Sequence, residues 1–237
     1  AGGTIGEPMM LSANLGYNIA GKQRIMDPSL GGGALLDIGV YPLNFASMVF
    51  GDDVTDIASI GTLNPGGVDE QDSITLRYRN GRMAVLNCTT RAVGDRTGMI
   101  CGTRGCMVLN NINNYESLTV YDNTGKKMGF YKRPRQITGY EYEVRACIRA
   151  MKKGFLECPE MPHAETLKML NMMDFIRHQL NVVYPCEMPI VQTVQESVKA
   201  AEQPAVESTV DNIAGSAVED TIENAVENTA DHGSEEE

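Results

Sequence analysis

Gly31-Gly32-Gly33-Ala34-Leu35-Leu36-Asp37-Ile38-Gly39-Val40-Tyr41-Pro42 is the stretch on which the reading of this chain turns. It sets a carboxylic acid and a phenol four residues apart, beside glycines that leave room for a ligand. At helical pitch, residues four apart leave the axis on nearly the same face, so the Asp37 carboxylate and the Tyr41 hydroxyl converge on one small molecule. A proline has no N–H and is accepted in the first turn of a helix but not in its interior. Pro42 therefore divides the segment into a short turn over 33–38 and a main helix over about 39–50, which Gly51 stops. Taken alone, the same residues also suit a flexible turn, a capping aspartate and a core aromatic with its hydroxyl satisfied.

Working outward, residues 8–17 alternate as a strand does, and the loop 18–33, which carries Arg24, leads from it into the glycine stretch. Beyond the helix, Thr55–Leu63, Gln71–Arg79, Met83–Arg91, Gly98–Gly102, Cys106–Asn110 and Leu118–Asp122 are rich in Val, Ile, Leu, Thr or Tyr. Turns separate them at Asn64-Pro65-Gly66-Gly67, Asn80-Gly81 and Asp122-Asn123-Thr124-Gly125. Asn80-Gly81 marks the clearest hairpin, because a type I′ turn needs positive φ at both central residues. Two helices follow, over about 140–153 and 163–180, the second with Leu167, Leu170, Met173 and Ile176 or Leu180 at core spacing. The fold class is α+β: a large, mostly antiparallel open β-sheet with helices packed on one face. The other face carries enough apolar residues to need cover, which points to a homodimer or homotetramer formed through the sheet.

The charge is divided unevenly. The chain has a formal net charge of -11, yet residues 191–237 hold 12 acids and one lysine, so residues 1–190 balance. We read 1–190 as one folded domain and 191–237 as an acidic, low-complexity, disordered tail with recurring Val-Glu units; a weak amphipathic helix within it is the alternative. A neutral folded part without a dense basic stripe argues against a nucleic-acid partner. The one basic cluster, Lys126, Lys127, Lys132, Arg133 and Arg135 around Phe130-Tyr131, suits a solvated hairpin and the loop after it.

Six cysteines are scattered without a paired framework and suit reduced thiols of a cytoplasmic protein. Cys101 and Cys106 could face each other, but two thiolates are half of a tetrahedral zinc site, and no metal is expected. His163 and His178 sit at the two ends of a helix and suit structural roles. No apolar run approaches the ~20 residues needed to cross a bilayer, so no membrane is expected. The start at Ala1, without a methionine, suggests a piece of a longer chain.

The run Gly31–Gly51 resembles the signature of the Gfo/Idh/MocA oxidoreductases, in particular their dihydrodiol, xylose and glucose-fructose branch. Ile5-Gly6-Glu7, Gly102-Thr103-Arg104-Gly105, Tyr142-Glu143-Val144, Gly154 and Pro159 follow in the family's order, and together the likeness covers about residues 3–188. What it covers is the family's second, substrate-binding and oligomerisation domain. The resemblance implies an NAD(P)-dependent oxidoreductase acting on a CH–OH group of a sugar or dihydrodiol, with NADP favoured over NAD. It implies Tyr41 as acid/base, Asp37 as orienter or hydrogen-bond acceptor, and Arg24 with Gly32 and Gly33 as cofactor contacts.

Hydride transfer needs a group that moves the hydroxyl proton, and a tyrosine serves if a nearby cation lowers its pKa from ~10. Tyr41 has no cation in its local sequence. In the family this resembles, a lysine of the nucleotide-binding domain supplies it, and no G-x-G-x-x-G following a strand occurs in these 237 residues. The chain alone is therefore expected to be inactive. The rival from another class is a non-catalytic scaffold that oligomerises through its sheet and recruits a partner through its acidic tail.

Overall fold

The computed structural model describes residues 3–187; the expectations for the acidic tail over 191–237 lie outside them. In chain order come β1 (Pro8–Gly16), a short helix α1 (Gln23–Met26), a wide helical turn (Leu35–Gly39) that runs directly into α2 (Val40–Phe50), and then seven strands. These are β2 (Val54–Leu63), β3 (Asp69–Tyr78), β4 (Met83–Thr89), β5 (Thr97–Gly102), β6 (Gly105–Asn110), β7 (Ser117–Asp122) and β8 (Lys127–Lys132). Helices α3 (Tyr140–Lys152) and α4 (His163–Leu180) close the described part.

All eight strands form one open sheet in the order β2-β3-β4-β1-β5-β6-β7-β8. Local chemistry accounts for most of it. Gly81 has φ 82° at the β3–β4 turn, and Gly125 has φ 83° at the β7–β8 turn, conformations open to glycine at no steric cost; Asn80 does not take positive φ, so the β3–β4 turn is not the expected type I′ but closes through Gly81 N–H on Tyr78 C=O at 2.9 Å with Gly81 alone left-handed. β1 is the exception to local order. It lies between β4 and β5, parallel to β4 and antiparallel to β5, and splits what would otherwise be a hairpin. The β4–β5 loop passes over its end, where Gly94 N–H donates to Gly16 C=O at 3.1 Å. The basic cluster resolves into an edge strand: Lys127–Lys132 pairs with β7, and lysines at both ends of an edge strand discourage further pairing.

Strand register assigns each side chain to a face. Leu11 and Ala13 of β1, Ile74 and Leu76 of β3, Ala84 and Leu86 of β4 and Ile100 of β5 all point toward the helices and are buried. Leu35, Leu43, Ala46 and Phe50 cover them from the wide turn and α2. On the opposite face Met10, Ile60, Met99 and Phe130 are exposed.

Three expectations change. Pro28–Phe50, at 23 residues, is long and apolar enough to cross a membrane by length and composition, contrary to the sequence reading. More than half of it is buried inside the fold, so its apolar character is spent on the core. The core stripe of α4 is Met169, Met173, Ile176 and Leu180, while Leu167 and Leu170 are 61% and 45% exposed. The apolar spacing extends further around α4 than the sheet beneath it can cover. Finally, α3 buries only Ala150, so two helices rather than three seal the sheet.

This sets apart two apolar residues of one helix. Ile176→Ala should cost roughly 2–4 kcal/mol of stability by removing a fully buried side chain, and Leu167→Ala less than about 0.5 kcal/mol. Denaturant titration of both variants checks the face assignment, which equal losses would contradict.

Candidate active site

The segment that presents Asp37 and Tyr41 is held by backbone contacts. Pro28–Leu30 form a tight turn whose Asp27 carboxylate accepts from Ser29 N–H at 2.8 Å and Ser29 Oγ at 2.6 Å. Gly32 N–H then donates to Asp27 C=O at 3.0 Å and Gly33 N–H to Ile25 C=O at 2.9 Å, which stitches the glycine arch to α1. A Cβ on Gly32 would stand 2.5 Å from the Ile25 carbonyl oxygen. Gly33 has φ 121°, and a Cβ there would stand 2.4 Å from Asp69 Oδ1. Both glycines are buried. The room they leave is therefore filled by protein, and the expectation that Gly32 and Gly33 make space for a cofactor is replaced by a packing role.

Two further contacts fix the arch from the core side. Asp69 Oδ2 accepts from Leu35 N–H at 2.5 Å, capping a buried helix start with a carboxylate. Tyr184 donates its hydroxyl to Gly32 C=O at 2.6 Å, and the guanidinium of buried Arg177 lies 4.9 Å from the centre of the Tyr184 ring. Arg177 is itself bound to Glu187 at 2.6 Å and Asp174 at 2.7 Å. That bond pulls the Glu187 carboxyl down to about 2, and pushes the Arg177 guanidinium above its usual range.

Pro42 lacks the N–H a regular helix would use, and the chain widens just before it: Val40 N–H reaches back to Leu35 C=O, a five-residue closure. Asp37 lies in this wide turn and Tyr41 in the first turn of α2. Arg24 Nη2 donates to Asp37 Oδ1 at 2.5 Å, so two of the residues singled out in the sequence form an ion pair. Asp37 also lies close enough to Tyr41 to act on its titration. Tyr41 is 44% exposed and lines a cavity of about 610 Å³. Partial burial pushes its hydroxyl pKa up, and Tyr140, Asp37, Tyr17 and Glu143 add to the rise. No cation offsets this, so the described residues keep Tyr41 in its proton-bearing form.

The sequence reading missed the rest of that cavity. Asn113, Asn114, Arg133, Tyr140 and Glu143 line it opposite Tyr41. Tyr17 donates its hydroxyl to Asn113 Oδ1 at 3.2 Å, and Asn114 joins the 111–115 loop to the following segment by accepting from Gln136 Nε2 at 2.7 Å and donating to Thr138 C=O at 3.0 Å. Glu141 accepts from the N–H groups of Ile137, Thr138 and Gly139, which lowers its carboxyl to about 2 and orders the entry to α3. The available signal was the polar run Asn110-Asn111-Ile112-Asn113-Asn114-Tyr115, too amide-rich for a simple connection between strands.

This arrangement can be compared with known proteins. Residues 1–108 match the GFO/IDH/MocA C-terminal domain. The chain carries a domain of that family. The chain is 34% identical over 191 residues to the trans-1,2-dihydrobenzene-1,2-diol dehydrogenase of Xenopus tropicalis, covering 76% of this chain and 57% of that protein. It is 28% identical over 191 residues to the Homo sapiens enzyme of the same name, covering 78% and 57%. The chain thus spans a little over half the length of these relatives. Its fold matches the aldose-aldose oxidoreductase of Caulobacter crescentus with a TM-score of 0.67 at 19% identity, covering 76% of this chain and 55% of that one. It also matches a 3-ketoreductase of Actinomadura kijaniata, in complex with NADP and TDP-benzene, with a TM-score of 0.65 at 22% identity, covering 75% and 55%.

The packing role of the GFO/IDH/MocA glycines can be tested without any ligand. Gly33→Ala should destabilise by roughly 2–4 kcal/mol through backbone strain and the Asp69 clash. Gly21→Ala, where a Cβ meets nothing within 4 Å, should stay within about 0.5 kcal/mol of the parent. Thermal or denaturant unfolding of the two variants decides it, and a near-neutral Gly33→Ala would show that the arch tolerates a side chain.

Proposed function

We propose that this chain is the substrate-binding and catalytic half of an NAD(P)-dependent oxidoreductase acting on a CH–OH group of a sugar or dihydrodiol, completed by a nucleotide-binding domain. The observation that carries the reading is a proton-bearing Tyr41 hydroxyl lining a cavity shared with Asn113, Arg133 and Glu143, beside the Asp37–Arg24 pair. The dihydrodiol dehydrogenase relatives support the substrate class, and the NADP of the Actinomadura kijaniata neighbour supports the cofactor. The described residues offer no glycine-rich phosphate turn after a strand, so they fit only the reacting end of a dinucleotide, with Arg24 and Asp37 as the groups beside it. When bound, the nicotinamide supplies or accepts the hydride.

The chain's own residues then account for the proton. In the direction of carbonyl reduction, Tyr41 gives its phenolic proton to the substrate oxygen as that oxygen becomes an alkoxide. The upward pKa shift keeps the proton on Tyr41 at neutral pH but makes the phenol a weaker acid, so giving the proton up, in this direction, and holding a phenolate to take one, in the reverse, both need a cation from outside the described residues. The Arg24 bond fixes the Asp37 carboxylate as an acceptor for a substrate hydroxyl. Asn113 presents an amide suited to polyhydroxylated molecules. The free cysteines among the described residues suit a reducing compartment, and we place the protein in the cytoplasm.

The test joins this chain to a nucleotide-binding domain and follows NADPH or NADH oxidation with small carbonyl substrates. Tyr41→Phe should lower turnover by about 10²-fold or more with folding unchanged. Full activity in that variant would remove Tyr41 from the mechanism.

The exposed apolar sheet face supports a homodimer or homotetramer. Phe130→Glu, which sets a charge in that face, should move the sedimentation profile toward the monomer. An unchanged profile would place the interface elsewhere.

A further inference from the structure

Beneath the glycine arch lie two carboxyl groups that the proposed chemistry does not use. Asp69 and Asp72 begin β3 and are 1% and 4% exposed. They meet the same small region of the core: Asp69 holds the Leu35 amide, Asp72 holds the Cys88 thiol, and Leu35 and Cys88 both lie against Gly39, while the Asp69 charge acts on the Asp72 carboxyl. Each has one oxygen accounted for: Asp69 Oδ2 accepts from Leu35 N–H at 2.5 Å, and Asp72 Oδ2 accepts from the Cys88 thiol at 3.3 Å. Each also has one buried oxygen, Oδ1, with no partner. Two unpartnered buried acceptors side by side would be costly, and two carboxylate charges more so. A single proton removes both problems by turning one acceptor into a donor.

We propose that Asp69 and Asp72 hold one proton between them, and that this buried acid pair is a pH-sensitive positioning device that sets the helix start carrying Asp37 and Tyr41. The proton resides on Asp72 and is donated to Asp69. Asp69, which accepts the Leu35 amide, keeps its charge at the helix start, where the helix dipole favours an anion. Gly33 lies against the same Asp69, so the pair meets the arch at both its last glycine and its first helical amide. The Arg177 guanidinium lies across the Tyr184 ring, held by Glu187 and Asp174, and bonds to neither carboxyl. β4 contributes the Cys88 thiol, the segment after α4 contributes Tyr184, and α4 and β2 bring Leu180 and the backbone of Gly61 alongside Asp72. Among the described residues no lysine or arginine forms an ion pair with either carboxyl.

Burial, reinforced by the adjacent Asp69, pushes the Asp72 carboxyl up to about 8. An acid whose pKa is higher folded than unfolded binds more protons in the native state, so its contribution to stability is full below about pH 4 and declines as the pH rises toward about 8. The bearing of this pair on catalysis rests on the oxidoreductase reading. The pair itself does not, and its test reads protons and stability rather than turnover.

The test compares the chain with its Asp72→Asn variant, which keeps the shape and can still donate to Asp69 but has no proton to lose. Infrared spectroscopy at neutral pH should show a protonated carboxylic acid in the parent and lose that band in D72N. Between pH 6 and 9 the thermal midpoint of the parent should fall by roughly 5–10 °C more than that of D72N. The Leu35 amide resonance should titrate over the same range only in the parent, a response that a purely structural pair would not give. Parallel melting curves, or no protonated acid in the parent at neutral pH, would overturn the proposal. The infrared measurement on the parent alone decides it if D72N does not fold.

Discussion

The Asp69 carboxylate accepting the Leu35 amide is the contact on which the rest of this structure depends. It joins the start of β3 to the start of the helical segment that carries Asp37 and Tyr41, and it does so inside the core, where neither group has water as an alternative. An unpaired amide or carboxylate there would cost several times what the hydrogen bond contributes on balance, so the contact restricts the fold more than it stabilises it. Gly33 is required because a side chain would enter the space Asp69 occupies, and Gly39 because a side chain would press on Leu35 and Cys88. The Tyr184 hydroxyl on Gly32 fixes the same arch from the C-terminal side.

From this anchor the candidate site is assembled from elements distant in sequence. α1 brings Arg24, the wide turn brings Asp37, the first turn of α2 brings Tyr41, and the loop after β6 brings Asn113 and Asn114. The rigid part is the floor, which rests on the sheet. The far wall, made by the segment 133–139 and the start of α3, is held by side-chain hydrogen bonds and by little apolar burial, since α3 buries only Ala150. Regions held in this way open at low free-energy cost, so this wall yields more readily than the floor.

Strands and turns were legible in the sequence because their signals are local: alternation specifies a strand, and Asn80-Gly81 specifies the turn between two of them. The place of β1 was not legible, because nothing in Pro8–Gly16 encodes which distant strands will flank it. The face of α4 was misjudged for a related reason, since apolar residues at helical spacing outnumber those the sheet can cover. Asp37 and Tyr41 stood out as a pair, whereas the purpose of Gly32 and Gly33 was misread: a glycine shows that something comes close but not what it is. Asp69 and Asp72 gave no signal at all, because an acidic strand start reads as solvated until its neighbours are known.

The insertion of β1 between β4 and β5 separates the order of the chain from the order in which the sheet can close. Leu11 finds both of its strand neighbours only after Ala84 and Ile100 exist, whereas every hairpin on either side can form from adjacent segments. Long-range pairing of this kind must wait for loop closure and slows folding. The central strand is therefore the keystone of the sheet in a kinetic sense. Until it is seated, two separate meanders exist with an open edge each, and Met9, Met10 and Leu11 remain available to any chaperone or neighbouring chain that reaches them first.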